Sequence, residues 1–245
     1  MKAEKTKVEI MTTQQALTSD GPAIASALWG ESNSVENSGD ENSVEETQAY
    51  RAGAYSLLGA LLRSSPEQAV LDYVASLSDV DTEIDELAVA LSSLGLAADN
   101  CDVGAIDDEY HALFIGIGRG EVMPYGSWYQ TGFLMEKPLG ILRDDLVMLG
   151  FERSSGTSEP EDHIAALCEV MSLLINQKVE SSSELDQSGQ QLVIQQQFFE
   201  AHISSWAEQF FGDLSEASSA IFYRSVGRFG KALIDFEKRY LAMSV

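Results

Sequence analysis

Helical periodicity runs through almost the whole chain from Thr47 onward, and this feature limits the fold more than any other. Apolar residues recur three and four positions apart in one segment after another, as they do along the buried face of an amphipathic helix. No segment shows the alternation of apolar and polar residues that is typical of a half-buried strand. We therefore predict an all-α fold, with a single multi-helix domain over residues 46–245. The most regular segment carries Phe222, Val226, Phe229, Leu233, Phe236 and Tyr240.

Two helices of this domain have clear sequence boundaries or spacing. Apolar spacing predicts one long helix through Leu192 and Phe210. It predicts another helix through Ile164 and Ile175, preceded by a capping box made by Ser158 and Glu161. Linkers are expected near residues 115–138, 150–160 and 179–190.

Residues 1–45 have a different composition. They are acidic and polar, contain no arginine, and have Trp29 as their one aromatic residue. Such a segment buries too little apolar surface to offset the entropy of ordering it. We expect a disordered acidic tail that contributes little to folding or to binding.

Overall charge and cysteine content exclude several classes of protein. The net charge of −24 disfavours nucleic acid and anionic membrane surfaces and favours cationic peptides. The two cysteines, Cys101 and Cys168, lie far apart and form no metal-binding pair. No secretory signal is evident, and the longest uncharged apolar stretch, Val122 to Met135, is too short to span a membrane. We expect a cytoplasmic protein without stable membrane insertion.

The segment 115–138 is unusually aromatic for a loop. It contains Met123, Tyr125, Trp128 and Tyr129 and is poor in charge. Two interpretations stay open. The segment is a lid packed over the core, or it borders a hydrophobic groove that accepts an apolar segment of a partner.

A second chemically rich segment is Glu159-Pro-Glu-Asp162-His163. A helical zinc site would place a second ligand four residues after His163, but Leu167 occupies that position. The sequence also lacks a nucleophile elbow and a phosphate-binding lysine loop. We predict no metal, no cofactor and no catalytic residue, so the chain is not expected to be an enzyme.

Four short segments carry a resemblance to a known family. They are Tyr110-His-Ala-Leu113-Phe114, Gly116-Ile-Gly118, Pro124-Tyr-Gly-Ser-Trp128-Tyr129 and Glu159-Pro-x-Asp162-His163. In this order they resemble the TorD/DmsD family of redox-enzyme maturation chaperones. His202 and Trp206, four residues apart, are similar to a further segment of that family. The similarity spans roughly residues 47–240.

The resemblance implies a cytoplasmic, all-helical chaperone. Its expected partner is the precursor of a molybdenum-containing oxidoreductase of the anaerobic respiratory type, either a reductase or a formate dehydrogenase. The chaperone would bind the precursor's twin-arginine signal peptide and hold the precursor for cofactor insertion before export. A monomer or a domain-swapped dimer is expected. The residues expected to bind the signal peptide are Tyr110, Leu113, Phe114, Pro124, Tyr125, Trp128, Tyr129, Glu159, Asp162 and His163.

Two alternatives remain open at this stage. A helical adaptor for another cationic amphipathic peptide would show the same acidity and the same helical pattern. A metal-dependent enzyme would use Glu159, Asp162 and His163, but it would need a third ligand that the sequence does not offer.

Overall fold

The fold is taken from a computed structural model that describes most of the chain from residue 41 onward. The described residues are 8–9, 41–79, 86–116, 119–153, 158–177 and 184–243, and side chains are described for all of them except 8–9, 41–43, 79 and 184–188.

Ten α-helices lie within the described residues, so the all-α prediction is confirmed. They are α1 (Glu41–Arg63), α2 (Gln68–Ala75), α3 (Glu86–Asp99), α4 (Val103–Tyr110), α5 (Gly126–Thr131), α6 (Lys137–Met148), α7 (Ile164–Asn176), α8 (Glu184–His202), α9 (Ala207–Glu216) and α10 (Phe222–Met243). A 3₁₀ turn, Ser76–Asp79, follows α2, and a π-helical turn, His111–Ile115, continues α4. Two short strands, β1 (Val8–Glu9) and β2 (Phe151–Glu152), pair in parallel.

The domain is built around α7, which is buried along almost its whole surface because its sequence is apolar on nearly every side. Helices α1 and α8 pack against α7, and α10 packs against α9, α3 and α1. Glycine permits the closest of these contacts, because a Cβ atom at Gly230 of α10 would lie 2.2 Å from the ring of Phe211 of α9. The core therefore depends on small residues where two helices meet.

Two buried carboxylates fix helices that are distant in sequence. Glu237 of α10 accepts two hydrogen bonds from Arg51 of α1, at 2.6 and 2.7 Å, and neither side chain is exposed. Glu109, at the end of α4, accepts from the backbone N–H groups of Ile221, Phe222 and Tyr223. A carboxylate at this place satisfies N–H groups that lack partners within the helix and complements the helix dipole.

The prediction of one long helix through Leu192 and Phe210 is wrong. The chain turns at residues 203–206, which separate α8 from α9. The indole N–H of Trp206 donates to the carbonyl of His202 at 2.7 Å, and Trp206 is buried. The indole thus takes the carbonyl of His202, four residues earlier, where apolar periodicity alone would continue the helix.

The capping box at Ser158 and Glu161 is also wrong, because α7 begins at Ile164 and its N-cap is His163. Glu161 instead pairs with Arg143 and Arg153. Two of the expected linkers contain helical residues, since α5 lies inside 115–138 and α8 begins at Glu184, inside 179–190.

Most of the predicted tail, residues 1–45, lies outside the described residues. Within it the structure describes the start of α1 from Glu41 and the strand Val8–Glu9. The boundary at residue 46 stays a prediction. In the described part of the chain, no helix combines the length and the apolar character that crossing a membrane requires.

Candidate functional site

Two of the motif segments meet directly, at a place that we call the junction: residues 124–127 and 162–164. The N–H of Gly126 donates to the carbonyl of Asp162, and the N–H of Ile164 donates to the carbonyl of Pro124, both at 2.9 Å. Tyr125 and His163 form an antiparallel bridge between these bonds. Segments that lie some 35 residues apart in sequence are therefore neighbours through their backbones.

Asp162 holds the start of α5 in place. It is only 4% exposed, and its Oδ2 accepts from the N–H of Ser127 at 2.8 Å. A negative charge at a helix N-terminus is favourable because it faces the positive end of the helix dipole. The other oxygen, Oδ1, is buried and has no hydrogen-bond partner among the described residues. Asp162 is thus a positioning residue at the junction rather than an exposed anion.

His163 holds the start of α7 in the same way. Its Nδ1 accepts from the N–H of Ala165 at 3.1 Å, and its ring meets the ring of Tyr125 edge to face at 5.1 Å. Burial, with the nearby positive charge of Arg63, lowers the pKa of His163 from 6.5 to about 3. The imidazole is therefore neutral at pH 7, and because Nδ1 accepts, the proton lies on Nε2.

The further segment with His202 and Trp206 packs against the junction. Trp206 packs against Gly126, where an added Cβ would lie 3.1 Å from the indole, and stacks on Tyr129 at 5.5 Å between ring centroids. His202 Nε2 lies 2.8 Å from Asp145 Oδ2 and so ties α8 to α6. Glycine at 126 gives this contact room, because a Cβ would require the indole to shift by a few tenths of an ångström.

Beside the junction lies a cleft of about 300 Å³, which we call the Glu159 cleft. Its walls come from α6, β2, the segment before α7 and α7 itself. The lining is mostly apolar, with charged groups on the rim. The apolar lining residues are Leu146, Val147, Phe151, Pro160, Ala166 and Val170, and the charged ones are Arg63, Arg143, Glu152, Arg153, Glu159, Glu161 and Glu169.

Several of the charged residues that line the Glu159 cleft already form ion pairs with each other. Arg63 makes two hydrogen bonds to Glu169, at 2.6 and 3.2 Å. Glu161 accepts from Arg143 at 2.8 Å, and these contacts keep the pKa of Glu161 low although burial acts in the opposite direction.

Glu159 differs from these charged residues of the cleft in its hydrogen bonding. Its Oε2 is buried without a hydrogen-bond partner in the described part of the chain, 3.9 Å from Arg63 and 3.7 Å from His163 Nε2. Burial raises the pKa of Glu159, and Arg63 offsets only part of that effect. Glu159 is therefore the rim carboxylate that an incoming cation would stabilise most.

Trp128 and Tyr129 line a second cleft, of about 290 Å³, between the 119–129 segment and the end of α9. Arg119 lies over the Trp128 ring at 4.9 Å, and the hydroxyl of Tyr129 donates to Asp213 at 2.9 Å. This cleft is more polar than the Glu159 cleft. The aromatic segment 115–138 thus contains both buried and exposed residues. Pro124 is buried at the junction, whereas Phe133 and Met135 are each 69% exposed.

The first motif lies in the core. Leu113 is fully buried, and the hydroxyl of Tyr110 donates to the carbonyl of Arg63 at 3.1 Å. The rings of Tyr110, Phe114 and Tyr223 pack together. This motif supports the cleft through Arg63 rather than lining it.

The ten predicted binding residues therefore occupy four regions: the core, the junction, the Glu159 cleft and the second cleft. Sequence reasoning missed the cleft's arginines and Glu169. A charged residue inside the apolar pattern of α7 is a signal that Glu169 has a buried partner, but nothing in the sequence says that the partner is Arg63. Among the described residues, no group of three or more His, Cys, Asp or Glu side chains is arranged to hold a metal ion.

Comparison with known proteins gives relatives that span most of the chain. A family model described as nitrate reductase delta subunit matches residues 77–212, more than half of the chain. The chaperone protein TorD of Vibrio atlanticus is 28% identical over 226 residues, which cover 81% of this chain and 99% of the relative. The chaperone protein TorD of Vibrio cholerae is 26% identical over 193 residues, covering 74% of this chain and 82% of the relative.

A solved structure also matches. The crystal structure of a redox enzyme maturation protein from Archaeoglobus fulgidus superimposes with a TM-score of 0.52 at 17% identity, over 84% of this chain and 99% of that one. This match concerns the fold. The residues matched by the family model include all the segments that meet at the junction.

Proposed function

The chain belongs to the TorD/DmsD family of redox-enzyme maturation chaperones, and from this premise we propose that it binds the twin-arginine signal peptide of a molybdenum-containing oxidoreductase precursor. The chaperone acts in the cytoplasm and holds the precursor until its cofactor is inserted. The family consists of chaperones rather than enzymes, so the site is one for binding and release.

The observation that carries the proposal is the Glu159 cleft. A twin-arginine signal peptide has a cationic start followed by an apolar stretch. The cleft offers an apolar floor, which includes Phe151 and Val170, next to a rim that includes Glu159. Each apolar side chain buried there contributes about 1.5–3 kcal/mol before ordering costs, and the adjacent carboxylate selects for a cation.

Glu159 is the residue that we assign to a client arginine. Glu169 holds Arg63 in place, so Arg63 lies close to Glu159 without hydrogen-bonding to it. An incoming guanidinium would satisfy the buried Oε2 and bring its pKa back down. Binding should then weaken as the pH falls, because protonated Glu159 loses its attraction for arginine.

Asp162 and His163 support binding indirectly. Both are buried: Asp162 accepts from a backbone N–H of α5, and His163 accepts from a backbone N–H of α7. They hold the segment carrying Glu159 and Pro160 against the start of α5. We assign them to positioning the cleft, and we assign Tyr125, whose ring packs on His163, to the same task.

The test is calorimetric titration of a twin-arginine peptide into the wild type and into Glu159→Gln. An arginine–carboxylate hydrogen bond is worth roughly 1.5–3 kcal/mol, so the variant should bind about 10- to 100-fold more weakly. Glu86→Gln on α3 is the matched control, because it removes the same charge at an exposed position outside the cleft. Its affinity should stay close to that of the wild type.

Two results would contradict the proposal. Equal affinities of Glu159→Gln and the wild type would remove the cleft from the binding site. If a peptide with both arginines replaced by lysine bound as tightly as the original, the chain would instead act as an adaptor for cationic amphipathic peptides in general.

A further inference from the structure

The strand pair β1–β2 joins a segment near the start of the chain to a wall of the Glu159 cleft. Val8 pairs with Phe151 and Glu9 pairs with Glu152, in parallel. Both Phe151 and Glu152 line the cleft. Because residues 1–45 are polar and of low complexity, composition provides no reason for such a contact. The pairing therefore needs an explanation of its own.

Backbone pairing of this kind is a general mode of peptide recognition. An exposed strand edge accepts an extended peptide through main-chain hydrogen bonds, and neighbouring pockets select the side chains. Here the edge is β2, and the neighbouring pocket is the cleft with its apolar floor. An extended client peptide lying beside β2 would contact both the strand edge and the cleft.

The residues around β1 have the same chemical order as the proposed client. Lys2, Lys5 and Lys7, interrupted by Glu4, precede Val8, and two apolar residues, Ile10 and Met11, follow Glu9. A cationic stretch followed by an apolar one is also the order in a twin-arginine signal peptide. In a chain with a net charge of −24, this is a notable place for three of its 15 basic residues.

We propose that the segment around Val8–Glu9 is an intramolecular competitor, which occupies the edge of Phe151–Glu152 in the free chaperone and is displaced by the client peptide. This inference rests on the proposed function and adds regulation to the same site. It replaces the expectation from composition that the tail has no effect on binding.

The strength of the contact suits a competitor. Two residue pairs form a weak ladder. Because both strands belong to one chain, the contact is intramolecular and gains from an effective concentration that a free peptide lacks. If the segment occupies the edge for roughly 70–90% of the time, the apparent affinity for a client falls about three- to tenfold. A client still binds, but one that fits poorly is rejected more often.

The experiment compares two double variants of the full chain. Val8→Pro with Glu9→Pro removes two backbone N–H groups and breaks the ladder. Ser32→Pro with Asn33→Pro is the matched control, because it places the same two prolines in the same tail away from β1. Hydrogen exchange of the Phe151 and Glu152 amides and calorimetric titration of a twin-arginine peptide are measured for both variants and for the wild type.

Successive N–H groups of a strand face opposite edges, so we expect faster exchange at the one of Phe151 and Glu152 whose N–H faces β1. We also expect about three- to tenfold tighter peptide binding in the first variant, with the control unchanged in both measurements. Unchanged exchange would overturn the docking of the segment. Faster exchange with unchanged affinity would overturn the competition. If no variant and not even the wild type bound the peptide, the proposed function would fail as well, and the exchange data would still report whether the segment docks.

Discussion

His163 caps α7 with a ring nitrogen while being only 2% exposed. The charged groups close to it are Arg63 and Glu159. Helix capping alone does not require a histidine, and the family resemblance assigns His163 to peptide binding. The structure gives the residue a structural task, because its Nδ1 is itself the capping acceptor.

This burial predicts a pH dependence of stability. The pKa of His163 is about 3 in the folded chain and 6.5 in an unfolded one, so the folded state resists protonation. The corresponding stability is complete above pH 6.5 and is lost as the pH falls toward 3. At pH 5 the loss should be about 2 kcal/mol from this residue.

His163→Asn provides the comparison, since asparagine also caps helices but does not titrate. Urea unfolding at pH 7.5 and pH 5 should show a smaller loss in this variant than in the wild type. His202, whose pKa burial also lowers, contributes to both proteins and cancels in the difference. An equal loss in the two proteins would assign the pH dependence to other groups.

At the scale of elements, the short helix α5 depends on α7 for its position. Its first N–H groups donate to the backbone and the side chain of Asp162. A six-residue helix is not stable alone, so tertiary contacts must hold it. The contacts are those with Asp162 and with Trp206.

Substitution of Asp162 tests this dependence. Asp162→Ala leaves the buried N–H of Ser127 without a partner and should lower the free energy of unfolding by about 1–3 kcal/mol. Asp162→Asn keeps an acceptor oxygen and should therefore lower the free energy of unfolding by less. Chemical unfolding measures both values, and calorimetry should show weaker peptide binding in the same order. Weaker binding with no loss of stability in either variant would make Asp162 a direct contact of the client.

At the scale of the whole molecule, a buried ion pair joins α1 and α10, the first and last helices of the described residues. Arg51 and Glu237 are both fully buried, and Arg51 also donates to Gln195 of α8 at 2.8 Å. Its guanidinium lies 4.4 Å from the ring centre of Tyr240. Three helices thus converge on one cation.

Removing one partner of the Arg51–Glu237 ion pair should lower the free energy of unfolding more than removing both partners. Arg51→Met leaves Glu237 as an uncompensated buried charge and should cost about 3–5 kcal/mol of stability. Adding Glu237→Leu should recover a large part of that loss, because paired apolar replacements avoid the desolvation of a charge. Thermal and urea unfolding of the single and double variants give the comparison. A double variant less stable than Arg51→Met would contradict this account.

The amino-acid sequence was sufficient for the class of fold and for the family. Apolar spacing reports which face of each helix is buried, and this pattern is local, so most helices could be placed within a few residues. Sequence was also sufficient to choose residues 124–129 and 159–163 as belonging together, through motif order.

Only the tertiary structure decided what these residues do. In the folded chain the indole of Trp206 occupies the carbonyl of His202, the ring of His163 caps α7 at Ile164, and Asp162 accepts from the distant N–H of Ser127. Glu159 is the cleft carboxylate whose buried Oε2 has no hydrogen-bond partner among the described residues. The reason is physical: periodicity reports burial, whereas a hydrogen-bond partner or an ion-pair partner is chosen in space, among groups whose separation along the chain carries no signal.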